Sequence, residues 1–460
     1  MPSSGQIDSP DIIVVGGGIA GLAAALRLQD AGFKPLVLES EPRVGGRMTT
    51  DRVEGFVIDR GVTLIGNRFT RMRRVAKRLG LGPLMQPVGF TLGLQDTNHC
   101  RSYRAQRPDD IFFDKHISFA AKLAVARFFL DLLRHHRALV HGRSDLSGRI
   151  DTESAWQYLS RLGPGGEELF SRIFEPGLRA AVGGSLAPLS RAILMQTVWN
   201  TLAGGFWNLT DGVDRIPEAI GSQVPVLTEA SVEQVRYGAN GVEVSGQVRG
   251  KPQRFQARGC ILAVPGHLVP TLCPELPSWI AEPLEQTLFS KVASAHVALS
   301  RVPKSPFAGY GFAERTMDGI GVLELEHLRA PGRCPAGTGM VSVYFTDTPA
   351  FHCLERSDED LQQRAVQIVE QTFPDVANST LFIHIIRWET GIAVFPVGRL
   401  TQMTEIRQKL AEWDAPVDLC GDYLDGLSSE GALRTGEQAA ERLVTRLGKK
   451  MIPPKSVGTT

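Results

Sequence analysis

The sequence contains 460 residues, of which 43% are hydrophobic and 22% are charged, and its formal net charge is +1 at pH 7. A chain of this length has enough apolar residues for one large domain or for two interleaved domains with sizeable cores. The balanced charge excludes a strongly basic nucleic-acid-binding protein, so no nucleic-acid partner is expected.

The first residues and the cysteine spacing indicate the compartment. Residues 1–10 contain neither the basic region nor the apolar stretch of a signal peptide, and no apolar run is long enough to cross a bilayer. The cysteines are scattered and form no CxxC pair: Cys100, Cys260, Cys273, Cys334, Cys353 and Cys420. This pattern is typical of reduced thiols in a cytoplasmic protein, and it predicts neither a disulfide framework nor a metal site.

Residues 12–28 predict a strand, a glycine-rich turn and a helix. A run of β-branched residues leads into Gly16, Gly18 and Gly21, and the residues that follow have helical spacing. The first glycine permits the turn, the second lets a pyrophosphate approach the backbone, and the third lets the helix pack against the strand. The N–H groups at the helix start, including those of Ile19 and Ala20, are predicted to bind the pyrophosphate.

A second predicted strand, residues 35–39, ends in Glu39. A carboxylate about twenty residues after the glycine turn accepts hydrogen bonds from an adenosine ribose that has no 2′-phosphate. Ser40 follows it and is included in the predicted ribose site.

Two adjacent glycines, Gly45 and Gly46, lie between Arg43 and Arg47. Backbone N–H groups and guanidinium groups in such a loop are predicted to converge on a phosphate. Together with the glycine turn and Glu39, this loop resembles the amino-terminal signature of the FAD-dependent amine oxidase superfamily. That superfamily includes monoamine and polyamine oxidases, protoporphyrinogen oxidase and the carotenoid desaturases. Residues 55–61 resemble its next element, an Asp-x-Gly turn on the flavin side of the cofactor.

The resemblance implies FAD as the cofactor, rather than NAD. It also implies an α/β fold, in which a Rossmann-like FAD-binding domain of the glutathione-reductase/p-hydroxybenzoate-hydroxylase type is interleaved with a mixed α+β substrate-binding domain. The expected FAD-binding domain comprises residues 1–70, 206–288 and 379–450. The expected substrate-binding domain comprises residues 71–205 and 289–378, and residues 451–460 are expected to form a flexible tail.

The chain between residues 70 and 206 is predicted to be mostly helical. Helical periodicity is found at residues 71–80, 119–139, 152–162, 166–174 and 190–202. Ser190 is a predicted N-cap of the last of these helices. In residues 117–133 the few polar side chains fall near one side of a helix. A helix packed within the substrate-binding domain is favoured, and a helix lying on a membrane surface stays open as the alternative.

The residues after 206 resemble the return of the chain to the FAD-binding domain. The dipeptide Asn240-Gly241 between two alternating segments predicts a β-hairpin. The resemblance implies that the backbone of Val232, in the first of these strands, binds the adenine. It also implies that residues 259–265 form a strand that passes near the cofactor.

A mixed sheet with helices is predicted from strand patterns at 292–299, 319–325 and 339–345 and a helical pattern at 358–372. Polyamine-type members of the superfamily have a lysine that contacts a water at the flavin N5 atom. Strand register places the corresponding position nearer His296, whereas Lys291 lies some residues earlier. Both remain candidates.

The C-terminal portion contains a second group of resembling motifs. Residues 385–398 resemble the strand and proline turn beside the flavin ring, and they include Trp388, a third candidate for a catalytic side chain. Gly421 and Asp422 resemble the closing motif near the ribityl chain and pyrophosphate. In the helix that follows, the region of Gly431 and Ala432 is implied to face the flavin pyrimidine carbonyl.

Departures from the superfamily pattern concern the flavin linkage and the substrate. Thr390 lies near the position of the cysteine that binds flavin covalently in monoamine oxidases, so FAD is expected to be noncovalent. Gly391 and Ser428 lie near the positions of the two aromatic residues that hold an amine in those enzymes. Simple amine oxidation is therefore less favoured, and the protoporphyrinogen oxidase and desaturase branch is the more similar one.

The sequence therefore predicts an FAD-dependent oxidoreductase that removes hydride from a C–C or C–N bond of a hydrophobic or polycyclic small molecule and creates a double bond. Only one GxGxxG is present, so the flavin is expected to be reoxidised by O2 or a quinone. Two alternatives stay open: an amine or amino-acid oxidase, and a redox-neutral flavin-dependent double-bond isomerase.

Overall fold

The computed structural model describes residues 10–88, 91–95, 100–104, 109–140, 144–202, 205–312 and 319–448. The expected tail, residues 451–460, lies outside them. The strands in the described ranges are β1 Ile12–Val15, β2 Pro35–Leu38, β3 Thr50–Val53, β4 Phe56–Asp59, β5 Ile65–Gly66, β6 Met85–Val88, β7 Thr91–Gln95, β8 Cys100–Arg104, β9 Phe206–Leu209, β10 Val226–Leu227, β11 Ala230–Gly238, β12 Gly241–Val248, β13 Lys251–Ala257, β14 Gly259–Leu262, β15 Val292–Leu299, β16 Gly309–Phe312, β17 Ile320–Leu325, β18 Gly339–Thr346, β19 Thr380–Trp388 and β20 Val417–Leu419.

The α-helices in these ranges are α1 Ile19–Asp30, α2 Thr70–Arg78, α3 Asp109–Phe113, α4 Phe119–His135, α5 Ser144–Ser147, α6 Ala155–Ser160, α7 Pro164–Leu169, α8 Glu175–Val182, α9 Arg191–Leu202, α10 Arg215–Gly221, α11 Val269–Leu272, α12 Ser278–Glu285, α13 Glu326–Arg329, α14 Asp358–Thr372, α15 Arg399–Glu412 and α16 Ser429–Arg446. A π-helical turn, Phe170–Phe174, joins α7 to α8. Of the helices in the described ranges, none is both long and apolar enough to cross a bilayer.

A parallel sheet with strand order β10-β2-β1-β14-β20 lies at the centre of the cofactor-binding part. Strands β1, β2 and β14 are buried along their whole length. Continuous apolar strands of this kind are typical of a parallel sheet that is covered on both faces. The pairing joins segments from the start, middle and end of the chain in one sheet, and this confirms the predicted α/β class.

Helices α1 and α16 pack closely against each other beside this sheet. A Cβ atom at Gly436 of α16 would lie 2.1 Å from the carbonyl oxygen of Ala20 in α1, so glycine is required for this approach. Helix α1 starts just after β1 ends, and α16 starts soon after β20 ends. Both helix N-termini therefore lie at the carboxyl edge of the parallel strands, where open α/β sheets bind their ligands.

A seven-stranded mixed sheet forms the second large layer, with strand order β19-β15-β18-β17-β16-β7-β8. Along β15, Ala293, Ala295 and Val297 pack in one apolar cluster with residues of α14. The alternate residues lie on the other face of the sheet, where Ala298 packs with Phe56 of the β3–β4 hairpin. This second face is therefore turned toward the cofactor-binding part.

Several predicted elements are confirmed. Strand β15 and helix α14 have the predicted bounds. The β11–β12 hairpin pairs Gly238 with Gly241. The N–H of Ala192 donates to Ser190 Oγ at 3.1 Å, as expected for an N-cap.

Other elements differ from the prediction. The region from 70 to 206 contains the predicted helices, but it also contains β6, β7 and β8, and the mostly helical prediction missed them. Strand β7 pairs with β16, which was also not predicted. Strand β19 pairs with β15 in the seven-stranded sheet, although its sequence neighbours belong with the cofactor motifs. Strands β6, β7 and β19 have partners far away in the sequence, so local patterns carry little sign of these pairings, whereas β8 pairs with its chain neighbour β7 at the edge of the sheet.

Candidate functional site

The glycine turn between β1 and α1 has the geometry of an anion site. Gly16 has φ +106° and its N–H donates to the Leu38 carbonyl at 2.8 Å. A Cβ at Gly21 would lie 2.0 Å from the Gly16 carbonyl oxygen, whereas a Cβ at Gly18 would meet open space. The first turn of α1, including Ile19 and Ala20, contains no acidic side chain, and Gly18 provides no capping group. The positive end of the helix is thus open to a phosphate.

Glu39 lies directly beside this turn at the end of β2, with 7% of its surface exposed. Its Oε2 accepts a hydrogen bond from the N–H of Gly17 at 2.6 Å. Its Oε1 accepts from the N–H of Glu41 at 2.9 Å and from Ser40 Oγ at 3.3 Å. The carboxylate is therefore fixed next to the anion site.

The double-glycine loop lies against the same turn. The N–H of Gly45 donates to the Gly17 carbonyl at 2.9 Å, and Gly46 has φ +56°, with only Gly18 close to the position of a Cβ. Arg43 is directed elsewhere, because it donates to Asp51 at 2.8 Å. The guanidinium groups of Arg43 and Arg47 thus pair with two different carboxylates in this structure.

Arg47 connects the double-glycine loop to the C-terminal motif. Its two terminal nitrogens donate to the two oxygens of Asp422 at 2.7 and 2.9 Å, and one of them also donates to the Gly391 carbonyl at 2.6 Å. The guanidinium carbon lies 5.7 Å from the centre of the Phe289 ring. Burial opposes the charge of Arg47, but Asp422 raises its pKa overall. The bidentate pair explains how an acidic residue is accommodated near a pyrophosphate site.

The closing motif depends on a glycine and a threonine. Gly421 has φ +156° and a Cβ there would lie 2.4 Å from the Tyr423 ring. Its N–H donates to Thr435 Oγ1 at 3.0 Å. At the start of α16, the N–H of Gly431 donates to Ser428 Oγ at 3.0 Å and that of Ala432 to the Ser428 carbonyl at 3.0 Å. These bonds fix the helix start beside Asp422.

Val232 lies in β11, close to the ribose end of the site. The N–H of Ala230 donates to the Glu39 carbonyl at 2.8 Å, which brings the start of β11 next to the end of β2. A bulge between Val232 and Gln234 interrupts the pairing with β12. Val232 therefore lies two residues along β11 from the backbone contact with Glu39.

Trp388 and Lys291 lie together where the seven-stranded sheet meets the cofactor motifs. Trp388 Nε1 donates to the Arg60 carbonyl at 2.8 Å, and its register partner is Val292. Lys291 is exposed. The residue before it, Ser290, accepts a hydrogen bond from the N–H of Gly391, whose own carbonyl binds Arg47. Lys291 is thus connected through two residues to the Arg47–Asp422 pair.

His296 lies deeper in the same strand and is 1% exposed. Its Nε2 is 3.0 Å from Ser294 Oγ, and its Nδ1 is 2.8 Å from Ser342 Oγ. Burial, reinforced by His384 and Arg329, lowers the pKa of His296 to about 3. The ring is therefore neutral at pH 7, with both nitrogens bound to serine hydroxyls.

Some residues at the site were not identified from the sequence. Phe289, against Arg47, is a single residue outside any motif, so no local signal indicates it. Thr435, against Gly421, lies in the stretch that follows Gly421 and Asp422 in the closing motif, but the sequence assigned it no role of its own. A buried group of Glu324, Glu326 and Arg329 was also missed. Arg329 donates to both Glu326 oxygens at 2.6 Å, and burial raises the pKa of Glu324. Within the described ranges, no set of three or more His, Cys, Asp or Glu side chains is arranged to bind a metal.

FAD fits the residues that are present. The open space at Gly18, the uncapped start of α1 and the buried Glu39 carboxylate match a pyrophosphate and a ribose. The Arg47–Asp422 pair and the start of α16 lie further toward Trp388. The polar groups around Gly18 and Glu39 and those around Asp422 therefore suit the two ends of one dinucleotide.

Comparison with known proteins agrees with this geometry. A family model described as flavin containing amine oxidoreductase matches residues 19–444. The L-amino-acid oxidase of Siganus canaliculatus is 30% identical over 245 residues, which are 52% of this chain and 46% of that protein. Polyamine oxidase 2 of Arabidopsis thaliana is 36% identical over 106 residues, 23% of this chain and 18% of that protein. The matches thus span less than half of the length of these two relatives.

Solved structures share the fold over almost the whole chain. A provisionally named protoporphyrinogen oxidase from Exiguobacterium sp. 255-15 has a TM-score of 0.75 and 20% identity, and the match covers 96% of this chain and 100% of that one. Cyclohexylamine oxidase from Brevibacterium oxydans has a TM-score of 0.72 and 18% identity, with coverage of 96% and 100%. A fatty acid isomerase from P. acnes has a TM-score of 0.70 and 14% identity, with coverage of 95% and 99%.

The family model covers most of the residues that form both layers and the site between them. The chain therefore belongs to the flavin-containing amine oxidoreductase family: it is by family an FAD-dependent oxidoreductase, and its FAD is bound noncovalently.

Proposed function

We propose that the protein removes hydride from a C–C or C–N bond of a hydrophobic or polycyclic small molecule and so creates a double bond. The observation that carries this proposal is the chemistry around Arg47 and Gly391. Gly391, at the position expected for one wall of an aromatic amine cage, contributes only backbone there and lies against Ser290 and Val292. Ser428, expected for the other wall, caps α16. Without two ring faces, an amine has no built site at this place.

In this proposal the chain's own residues hold and orient the cofactor. FAD, when bound, supplies the hydride acceptor. The start of α1 and the double-glycine loop bind the pyrophosphate, and Glu39 accepts hydrogen bonds from the ribose. Asp422, held in place by Arg47, accepts from a ribityl hydroxyl. Because Asp422 is already paired with Arg47, it adds no net negative charge near the phosphates.

We also propose that, of the two candidates, Lys291 rather than His296 acts at the flavin. Lys291 is exposed and is linked through Ser290 and Gly391 to Arg47. His296 is enclosed within the sheet with both nitrogens occupied, which is the environment of a structural residue. Trp388 donates a hydrogen bond to the Arg60 carbonyl and pairs with Val292, so its proposed role is to form part of the substrate wall.

The electron acceptor in this proposal is O2 or a quinone, and the compartment is the cytoplasm. An amine or amino-acid oxidase stays the second candidate, because the curated relatives include an L-amino-acid oxidase and polyamine oxidases. A redox-neutral double-bond isomerase is the third, because a fatty acid isomerase has the same fold. Contact of residues 117–133 with a membrane depends on a different observation, the exposed apolar side of that helix.

The test is anaerobic reduction of the bound flavin by three panels of compounds: polycyclic and polyene hydrocarbon-like molecules, amines, and amino acids. The proposal predicts bleaching of the flavin by members of the first panel, followed by reoxidation with O2 or a soluble quinone. Rapid anaerobic bleaching by amines or amino acids, with peroxide formed when O2 is then admitted, contradicts it and favours the second candidate. A shifted double bond without O2 uptake favours the third.

A further inference from the structure

Helix α4 has two apolar sides, and only one of them is buried. The buried side packs in the core through Ala121, Ala124, Val125, Phe128 and Leu132. The opposite side contains Phe119, Leu123, Leu130 and Leu133, which are 84%, 44%, 66% and 62% exposed. At 100° per residue these four positions fall on one stripe of the helix. An outward stripe of this kind is not explained by the packing of the chain.

The short helix α3, which precedes α4 in the chain, carries two more exposed rings. Phe112 and Phe113, at its end, are 39% and 82% exposed. We call these side chains together the α3–α4 apolar surface: Phe112, Phe113, Phe119, Leu123, Leu130 and Leu133. Scattered exposed apolar residues are normal on a protein, but several bulky ones on two consecutive helices indicate a site of interaction.

Positive charges border the stripe. Arg127 and Arg134 are exposed and lie along one edge of it, about 60–80° around the helix from its centre. Lys122 lies along the other edge and is half-buried, and Lys115 is exposed in the turn before the helix. Each edge of the apolar stripe therefore carries a cation.

Several acidic groups near the stripe are paired, whereas Glu167, at the start of α7, is exposed. Asp131, the acidic residue of α4, accepts hydrogen bonds from Tyr158 at 2.8 Å and from Arg191 at 3.0 Å. Asp114 accepts from the Tyr103 hydroxyl at 2.5 Å. Glu168, near the N-terminal end of the helix, forms an ion pair with Arg172 at 3.4 Å. The pairing of Asp131, Asp114 and Glu168 leaves the arginine and lysine side chains as the charged groups that directly border the apolar stripe on α4.

We propose that the α3–α4 apolar surface docks on an anionic lipid bilayer. Phe113 and Phe119 enter the boundary between headgroups and acyl chains, and Arg127 and Arg134 lie among the anionic headgroups. This arrangement, with bulky apolar residues outward and cations along the edges, is that of a helix lying in a membrane interface. Because no described helix can cross the bilayer, the contact is peripheral. On the proposed function, it also brings the protein to the phase in which hydrophobic substrates and quinones dissolve.

A second copy of the chain is the other occupant that this surface allows. The charge pattern favours lipid, because two copies facing each other through this surface would place cations opposite cations along both edges. The side chains also project from one convex helix instead of lining a groove, and a convex stripe alone gives little area for a stable protein interface.

The experiment is co-sedimentation of the purified holoprotein with vesicles of phosphatidylcholine alone and with vesicles that also contain phosphatidylglycerol. Binding is expected to the anionic vesicles and to weaken as salt rises. The variant F113S/F119S should bind about tenfold or more weakly, because two inserted rings are lost. The variant R127Q/R134Q should lose the preference for phosphatidylglycerol. L381S, which changes an exposed leucine on β19, is the matched control and should bind like the wild type.

Flavin content and circular dichroism of each variant check that it is folded. Since Phe113 and Phe119 are almost fully exposed, their replacement leaves the core intact. Failure of the wild type to bind either vesicle overturns the proposal, and so does unchanged binding by F113S/F119S. Concentration-dependent dimerisation that the same substitutions abolish, with no vesicle binding, overturns it in favour of a second copy. Vesicle binding needs no substrate, so its outcome is independent of the proposed reaction.

Discussion

A change from pH 7 to pH 5 is expected to destabilise the protein through His296. The histidine is buried between Ser294 and Ser342, and its burial lowers the pKa to about 3. In the unfolded chain the pKa is about 6.5. Between these two values the unfolded state binds a proton that the folded state does not. Stability therefore rises with pH across the window from about 3 to 6.5 and is constant above it.

The size of the effect follows from the two pKa values. At pH 5 the histidine is protonated in the unfolded chain but not in the folded protein. This pH lies about 1.5 units below the unfolded-state pKa of about 6.5. At about 1.4 kcal/mol per unit this is a loss of about 2 kcal/mol relative to pH 7. The variant H296N removes this loss. It also costs about 1–3 kcal/mol at both pH values, because the two serine hydroxyls lose part of their hydrogen bonding.

The assay is urea unfolding followed by tryptophan fluorescence, at pH 7 and pH 5, for the wild type and H296N. The free energy of unfolding of the wild type should fall by about 2 kcal/mol more than that of H296N between the two pH values. H352N, which replaces an exposed histidine, is the control and should behave like the wild type. Equal losses in the wild type and H296N would refute the reasoning, because His296 would then take up its proton in the folded protein.

Three further predictions concern the cofactor site and the core. E39Q should weaken FAD binding by about tenfold or more in a fluorescence titration, because a charged acceptor of the ribose hydroxyls is lost; E41Q, which leaves the backbone N–H of residue 41 in place, should not. D59N should cost about 3–5 kcal/mol in urea unfolding, because it leaves Arg333 fully buried without its carboxylate, whereas D211N at the surface should cost less than about 1 kcal/mol. K291M should slow anaerobic flavin reduction without changing the FAD content; an unchanged rate would remove Lys291 from the site.

The parts of the site that the sequence predicted are those determined by local backbone chemistry. Gly16 has a positive φ and Gly21 has no room for a side chain. Because only glycine meets these requirements, the turn can be identified from the sequence alone. Glu39 follows a strand at the expected distance, and its carboxylate lies beside the turn. Family resemblance supplied the second half of the site at Gly421 and Asp422, which local pattern alone would not connect to the first.

The parts that were missed depend on contacts between distant segments. The pairing of Arg47 with Asp422 joins residues 375 positions apart, and nothing near either residue indicates the other. Arg43 has the same charge and a similar position in the loop, yet it pairs with Asp51. The choice between Lys291 and His296 likewise depended on burial within a sheet, since both are polar residues in or next to the same strand.

The most direct test of the cofactor site is the flavin content of the purified wild type, of G21A and of G82A. A Cβ at residue 21 would collide with the Gly16 carbonyl and disturb the anion site, whereas a Cβ at residue 82 meets open space. We expect the wild type and G82A to release an equimolar amount of FAD into solution on acid precipitation, and G21A to be purified folded but with little or no flavin. Flavin that stays with the precipitated protein, or equal FAD in G21A and the wild type, would contradict a noncovalent site at this glycine turn.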